Sequence, residues 1–185
     1  DVYKRQILYV GLLTILMLLG FRSFITFFPL RGLELGMNAA LIGSIVGVRT
    51  ISSTIFRLPA GYLAESFGRR PLFIIALILS SLGLAIFATF SNLWMILLAA
   101  SLEGAGFGIF LTVSRAFVVD STDKSNRSTS LSITSSLGFL GQTIMILLLG
   151  SISDFVGLVL VFAIGSVFIL SLGLLLHVKF RSVSY

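Results

Sequence analysis

The sequence reads Gly61-Tyr62-Leu63-Ala64-Glu65-Ser66-Phe67-Gly68-Arg69-Arg70-Pro71-Leu72-Phe73 between two long apolar runs, 39–64 and 71–90. An acid and two bases therefore fall in a link that is too short to leave a membrane surface. Gly68 allows a tight turn with positive φ, and Pro71 suits the first turn of a helix, where its missing N–H is not needed. Gly61 removes a side chain near a helix end, so that a neighbouring helix can approach.

The composition of the 185 residues is that of a membrane protein. Hydrophobic residues make up 57% and charged residues 11%, whereas a soluble domain carries roughly 25% charged residues. There is no cysteine, which excludes disulfides and thiolate metal sites, and we expect neither a metal nor a cofactor. The net charge of +6 comes from bases scattered over helix ends, without the stripe that binds nucleic acid.

The apolar runs predict an all-α membrane protein. A spanning helix needs about 20 mostly apolar residues, and six segments satisfy this, here called helices 1 to 6: about 7–30, 39–64, 71–90, 93–118, 129–151 and 156–178. The links between them leave no room for a soluble domain. Residues 1–6 and 182–185 look like translated sequencing-adaptor tags, with natural termini as the alternative, so we expect 7–181 to recur inside a longer reading frame.

The link after helix 2 resembles the loop motif of the major facilitator superfamily, G-x-L-A-D-R-x-G-R-R-x-x-L. The matching positions are Gly61, Leu63, Ala64, Gly68, Arg69 and Arg70. Glu65 stands where the family prefers Asp, Ser66 where it prefers a base, and Phe73 where it prefers Leu. The resemblance covers nearly the whole chain and implies one six-helix half of a twelve-helix fold. It is slightly closer to the C-terminal half of drug- and metabolite-type members.

A second segment repeats the spacing of the first. Gly150, Asp154 and Gly157 follow the pattern G-x-x-x-acid-x-x-G of Gly61, Glu65 and Gly68, at an offset of 89 residues. One copy follows helix 2 and the other helix 5, as two three-helix repeats would give. An odd number of helices per repeat inverts the second copy. We therefore predict two inverted three-helix repeats, with chance similarity as the alternative.

Two opposite charges lie at similar depth on different helices. Arg49 on helix 2 and Glu103 on helix 4 are both near mid-membrane by residue count, and a pair between them would offset much of the burial penalty. Intramembrane ionisable groups mark functional sites by default; the alternative is a purely structural ion pair. An unpaired Glu103 would instead be a candidate proton carrier. Gly104 and Gly108 follow Glu103 with the spacing that lets helix backbones touch.

Helix 2 is marginal as a lone membrane insert. Its strongly apolar residues supply roughly −3 to −6 kcal/mol of insertion free energy, and one central arginine costs about 2.5–3.5 kcal/mol on the same scale. We therefore expect helix 2 to be enclosed by its neighbours. Two more polar residues are open to two interpretations. Arg22 either extends outward from the last turns of helix 1 or faces an aqueous cavity, and Gln142 binds either a substrate or a neighbouring helix.

The bases predict the orientation. Arg69, Arg70, Lys124, Arg127, Lys179 and Arg181 fall on one side of the membrane, which the positive-inside rule makes cytoplasmic. We expect the loops after helices 2 and 4 and the C-terminal end inside a plasma membrane, the inner membrane of a bacterium. In the superfamily an acid at the end of helix 4 meets the first arginine of the G-R-R segment. Asp120 matches that place, so the resemblance implies a pair with Arg69 that holds the cytoplasmic side shut; two solvated charges are the alternative.

The resemblance implies secondary active transport of a small solute by alternating access, driven by a proton or another ion. The partners it implies are the lipid bilayer, the solute and the other six-helix half of the same polypeptide. Candidate cavity residues are Arg22, Arg49, Glu103 and Gln142; two buried arginines suggest an anionic solute unless Glu103 neutralises one. We expect no enzyme. The alternatives are a non-transporting membrane scaffold and an intramembrane hydrolase, for which the chain lacks a G-x-S-G segment.

Overall fold

A computed structural model describes residues 24–120 and 122–182. These residues form helices and short links, with no strand among them. The helices are α1 over 24–34, α2 over Ala39–Ser66, α3 over Arg69–Thr89, α4 over Leu93–Asp120, α5 over Arg127–Val156 and α6 over Leu158–Ser182. Arg22, the tag 1–6 and most of the tag 182–185 lie outside the described residues.

Four helices in the described ranges, α2 to α5, are long and apolar enough to cross a membrane. The described side chains of α6 form a shorter apolar segment, Leu158–Ser171. The prediction of an all-helical membrane protein is therefore confirmed, while six spans in two repeats stay a prediction. The largest boundary difference among the described helix ends is in α5, which continues past the predicted end at 151 to Val156, where Gly157 with positive φ forms the C-cap.

The two repeated glycines have the same backbone conformation. Gly68 has φ 85° and ψ 160° and precedes α3, and Gly157 has φ 78° and ψ 159° and precedes α6. The positive φ predicted for Gly68 is thus confirmed. The helix before each glycine ends one residue apart relative to that glycine: Phe67 N–H, just before Gly68, donates to the Leu63 carbonyl at 2.8 Å, whereas Gly157 N–H itself donates to the Ser153 carbonyl at 2.9 Å.

Alanine at either glycine is expected to destabilise the protein by about 1–3 kcal/mol, because this region of φ and ψ is essentially restricted to glycine. Gly68→Ala and Gly157→Ala should lower the thermal midpoint of the purified full-length protein to a similar extent. Gly150→Ala is the matched control. It lies within α5 with nothing within 4 Å of an added Cβ, so the substitution should be neutral or gain about 1 kcal/mol of helix propensity. Equal midpoints for all three variants would contradict this assignment.

The described helices pack around α4. It lies between α2 and α3, α3 also packs against α6, and α5 makes only sparse contacts with α4 and α6. At one end, Phe87 of α3 joins Phe24 and Phe28 of α1 to Phe162 of α6, with ring centroids 4.5–5.8 Å apart. Ser81 of α3 and Ser166 of α6 exchange hydrogen bonds with each other's carbonyls at 3.1 and 2.9 Å.

Glycines on two faces of α4 allow this close packing. A Cβ at Gly104 or Gly108 would collide with the carbonyls of Arg49 and Ser53 in α2, and one at Gly106 would collide with Ser80 and the Ala76 carbonyl of α3. The close packing predicted from the Gly104–Gly108 spacing is confirmed. The expectation at Gly61 is wrong in its steric reason, since a Cβ there would meet only Thr112 Cγ2 at an ordinary 4.0 Å.

Only one face of α2 is enclosed. Arg49 and Ser53 are buried against α4, whereas Ile51, Leu58 and Tyr62 are more than half exposed. The expectation that helix 2 is enclosed by its neighbours therefore holds for Arg49. Within the described chain it is wrong for the helix as a whole. The reason is that α2 has a single extensive partner, α4.

Candidate functional site

The predicted pair between Arg49 and Glu103 is present and buried. Arg49 Nε donates to Glu103 Oε2 at 2.6 Å, and Nη2 donates to Oε1 at 3.0 Å. The two residues are 3% and 0% exposed. Two parallel charge-assisted bonds are the strongest form of arginine–carboxylate contact, so the pair joins α2 to α4. The alternative of an unpaired Glu103 is wrong in this structure.

Neighbouring residues enclose the ion pair on two further sides. The Arg49 guanidinium lies 4.5 Å from the centre of the Phe107 ring, within the range of a cation–π contact. Glu103 faces α3, where a Cβ at Gly83 would come within 2.9 Å of the Glu103 Cβ. Because the opposite charges of Arg49 and Glu103 cancel, this pair does not by itself attract an anionic solute.

A cavity of about 140 Å³ lies on the seam between α4 and α5. Its described lining comes from one face of each helix: Phe107, Phe110, Leu111, Ser114, Arg115 and Val118 of α4, and Leu131, Thr134, Ser135, Phe139 and Gln142 of α5. Gln142, a predicted cavity residue, is among them. Arg49 and Glu103 lie behind the shared Phe107 ring and are not among the described lining residues. Arg22 falls outside the described range.

Arg115 and the hydroxyl residues around it were not predicted as site residues. Arg115 is exposed and is the one charged side chain in the described lining. The spacing from Phe107 through Leu111 to Arg115 places these residues on one helix face, which is the signal that was available. Across the described residues, no group of three His, Cys, Asp or Glu side chains could hold a metal ion.

The loop end of the bundle is joined by a second predicted pair. Arg69 Nη2, in the first turn of α3, forms an ion pair with Asp120 Oδ2 at the end of α4. Arg69 Nη1 also donates to the Ala116 carbonyl at 2.8 Å. The pairing implied by the resemblance is confirmed, and it brings the α2–α3 and α4–α5 loops to the same end. Glu65 and Asp154 are exposed near the ends of α2 and α5, and Arg70 follows Arg69.

Comparison with known proteins decides the family. The sequence model of the Major Facilitator Superfamily matches residues 10–184. This chain belongs to the major facilitator superfamily. The predicted family is thereby confirmed. The names of three relatives, two of them transport proteins and one a multidrug resistance protein, point to a role other than catalysis. As a member of this superfamily the chain is an integral membrane protein.

Three curated relatives in the superfamily illustrate the similarity. The inner membrane transport protein YajR of Escherichia coli is 30% identical over 52% of this chain and 21% of its own length. An uncharacterized transporter of Buchnera aphidicola is 31% identical over 64% and 30%. The multidrug resistance protein MdtH of Yersinia pestis is 27% identical over 64% and 29%. The matches thus span about a fifth to a third of these relatives.

Solved structures agree on the fold. A crystal structure of a mutant peptide transporter, POT, in complex with alafosfalin superposes with a TM-score of 0.71 at 20% identity, over 95% of this chain and 38% of that one. The same mutant with sulfate gives 0.71 at 19% identity, over 95% and 37%. The described helices therefore have the arrangement found in part of a major facilitator transporter.

Proposed function

We propose that this chain is one six-helix half of a secondary active transporter that moves a small solute by alternating access. The observation that carries the proposal is a cavity between two long apolar helices whose described lining includes the Arg115 guanidinium and the Gln142 amide. A dry scaffold has no use for a charged side chain in such a place, since an ionisable group is costly inside a membrane. Family membership adds support.

One further feature supports the six-helix, two-repeat architecture. Gly68 and Gly157 share one unusual backbone conformation, each three residues after an acid and directly before a helix. The α4–α5 cavity lies within the second of the two predicted repeats. It reaches from Val118, near the loop end, to Phe107, and the helix between Phe107 and Asp120 rises about 20 Å.

We propose that the other half of the transporter is a second six-helix set in the same polypeptide. This chain is then the C-terminal half. The loop end faces the cytoplasm across a plasma membrane, and a proton or another ion drives transport. Extending the gene tests the partner directly, because a second six-helix set with its own G-x-x-x-D-x-x-G-R loop is expected. A soluble domain in its place would contradict the proposal.

Alternating access is tested by two-sided labelling of the full-length protein in vesicles. The chain has no cysteine, so Ser135→Cys, with its side chain exposed in the cavity, introduces a single thiol into this half. A membrane-impermeant maleimide is applied from either side. Asp120→Asn removes the exposed Arg69–Asp120 pair and should increase labelling from the loop side while decreasing it from the other. Its effect on stability should be at most about 1 kcal/mol.

The matched control is Glu34→Gln, which removes another exposed pair, Arg31–Glu34 at 3.0 Å within one helix. It should leave both labelling rates unchanged. Labelling that rises on both sides in Asp120→Asn indicates general loosening, and labelling that changes on neither side indicates a static scaffold. Either result would contradict alternating access through this seam.

A further inference from the structure

The charge inside the α4–α5 cavity comes from Arg115. Arg49, the other arginine nearby, is neutralised by two hydrogen bonds to Glu103 and is covered by the Phe107 ring. Among the residues that the structure describes, none forms an ion pair with Arg115 or a hydrogen bond with the Gln142 amide. The described lining contains no acid. The cavity therefore carries one guanidinium that is available to a solute.

The rest of the lining is aromatic and hydroxyl-bearing. Phe107, Phe110 and Phe139 contribute to the lining, Ser114 is next to Arg115 in α4, and Ser135 lies across the seam in α5. A volume of about 140 Å³ is close to that of an apolar cavity known to accept benzene, about 150 Å³. The space thus matches a single aromatic ring that carries one small polar group.

We infer that the α4–α5 cavity binds aromatic or similarly compact apolar anions, with the Arg115 guanidinium holding the carboxylate or phosphonate group. The inference rests on the proposed transport function and names the class of solute for the same cavity. A planar guanidinium donates two parallel hydrogen bonds to such an anion. The Phe rings receive the apolar part, and the Gln142 amide remains at the far end of the cavity for a second polar group.

Three probes of nearly equal shape and different charge test the inference. Benzoate, benzamide and benzamidine carry charges of −1, 0 and +1 on the same ring. Each is titrated at millimolar concentration against the purified full-length transporter, and apparent dissociation constants are taken from the rise in thermal midpoint. We expect benzoate to bind most tightly and benzamidine most weakly. Arg115→Gln should weaken benzoate about 10-fold or more and leave benzamide unchanged.

Two further variants reverse the charge at Arg115 and remove an arginine outside the cavity. Arg115→Glu should invert the order, so that benzamidine binds most tightly. Arg57→Gln is the matched control because Arg57 lies on α2, donates to Ser53 Oγ at 3.3 Å and does not line the cavity; the parental order should persist. Equal binding of all three probes, no benzoate binding, or a parental order in Arg115→Gln would overturn the inference.

The probe-binding result and the labelling result test the anion inference and the transport proposal separately. Probe binding is an equilibrium measurement on purified protein and requires no movement of solute. If two-sided labelling alternates while the three probes bind equally, transport stands and the anion inference falls. If benzoate is preferred through Arg115 while labelling never alternates, the cavity is an anion site in a protein that does not transport by this seam.

Discussion

Replacing Glu103 with glutamine is expected to destabilise the full-length protein strongly. The substitution removes the carboxylate that accepts both hydrogen bonds from Arg49, while the arginine stays charged and only 3% exposed. Breaking one side of a buried pair typically lowers the free energy of unfolding by about 3–5 kcal/mol, a large share of the total stability of about 5–15 kcal/mol. The thermal midpoint and the monodisperse fraction in detergent should both fall sharply.

A double substitution separates lost pairing from lost packing. Arg49→Met with Glu103→Leu removes both charges and fills similar volume, and such replacements of buried ion pairs are often neutral. We expect the double variant to recover most of the midpoint lost by Glu103→Gln. A single variant as stable as the parent would mean that water or another group compensates Arg49, and the buried pair would not be a main contact between α2 and α4.

The second large loss of stability is expected when one methyl group is added at Gly108. Gly108→Ala should destabilise the protein by about 3 kcal/mol or more, beyond ordinary overpacking of about 1–3 kcal/mol, because the added Cβ collides with the Ser53 carbonyl of α2. That obstacle is backbone and has no alternative rotamer. The two helices must separate, and the neighbouring Arg49–Glu103 contact lengthens with them.

Gly61→Ala is the control for this prediction. Both glycines lie inside helices, so the helix propensity gained is about 1 kcal/mol in each case, but a Cβ at Gly61 makes only an ordinary contact with Thr112. Gly61→Ala should therefore be neutral or stabilising, although Gly61 belongs to the family motif. Thermal midpoints that move in the same direction for both variants would show that packing against Ser53 does not limit the approach of α2.

Much of the structure follows from the sequence through burial of charge. Arg49 and Glu103 are lone charges at equal depth in apolar runs, and a membrane interior leaves them few ways to exist other than together. Asp120 and Arg69 were paired by resemblance, and the geometry agrees. The bounds of α2 to α5 lie within a few residues of those predicted, because apolar run length is a direct consequence of bilayer thickness.

Arg115 shows what sequence reasoning could not reach. Its spacing from Phe107 indicates a shared helix face, but a single helix does not say which neighbour that face meets. The cavity exists only because α5 lies along the same face with few direct contacts. Likewise, Gly61 and Gly108 look equivalent in sequence, and only the distance to the opposite backbone separates them.

The order of synthesis gives the Arg49–Glu103 contact a further consequence. The two residues are 54 positions apart, so the ribosome finishes α2 well before it adds the acid. At about 5–20 residues per second the wait is about 3–11 s. During that time the nascent arginine has no carboxylate, and lipid offers no substitute. We expect the insertion machinery to retain α2 until α4 emerges, so that the two helices enter the bilayer together.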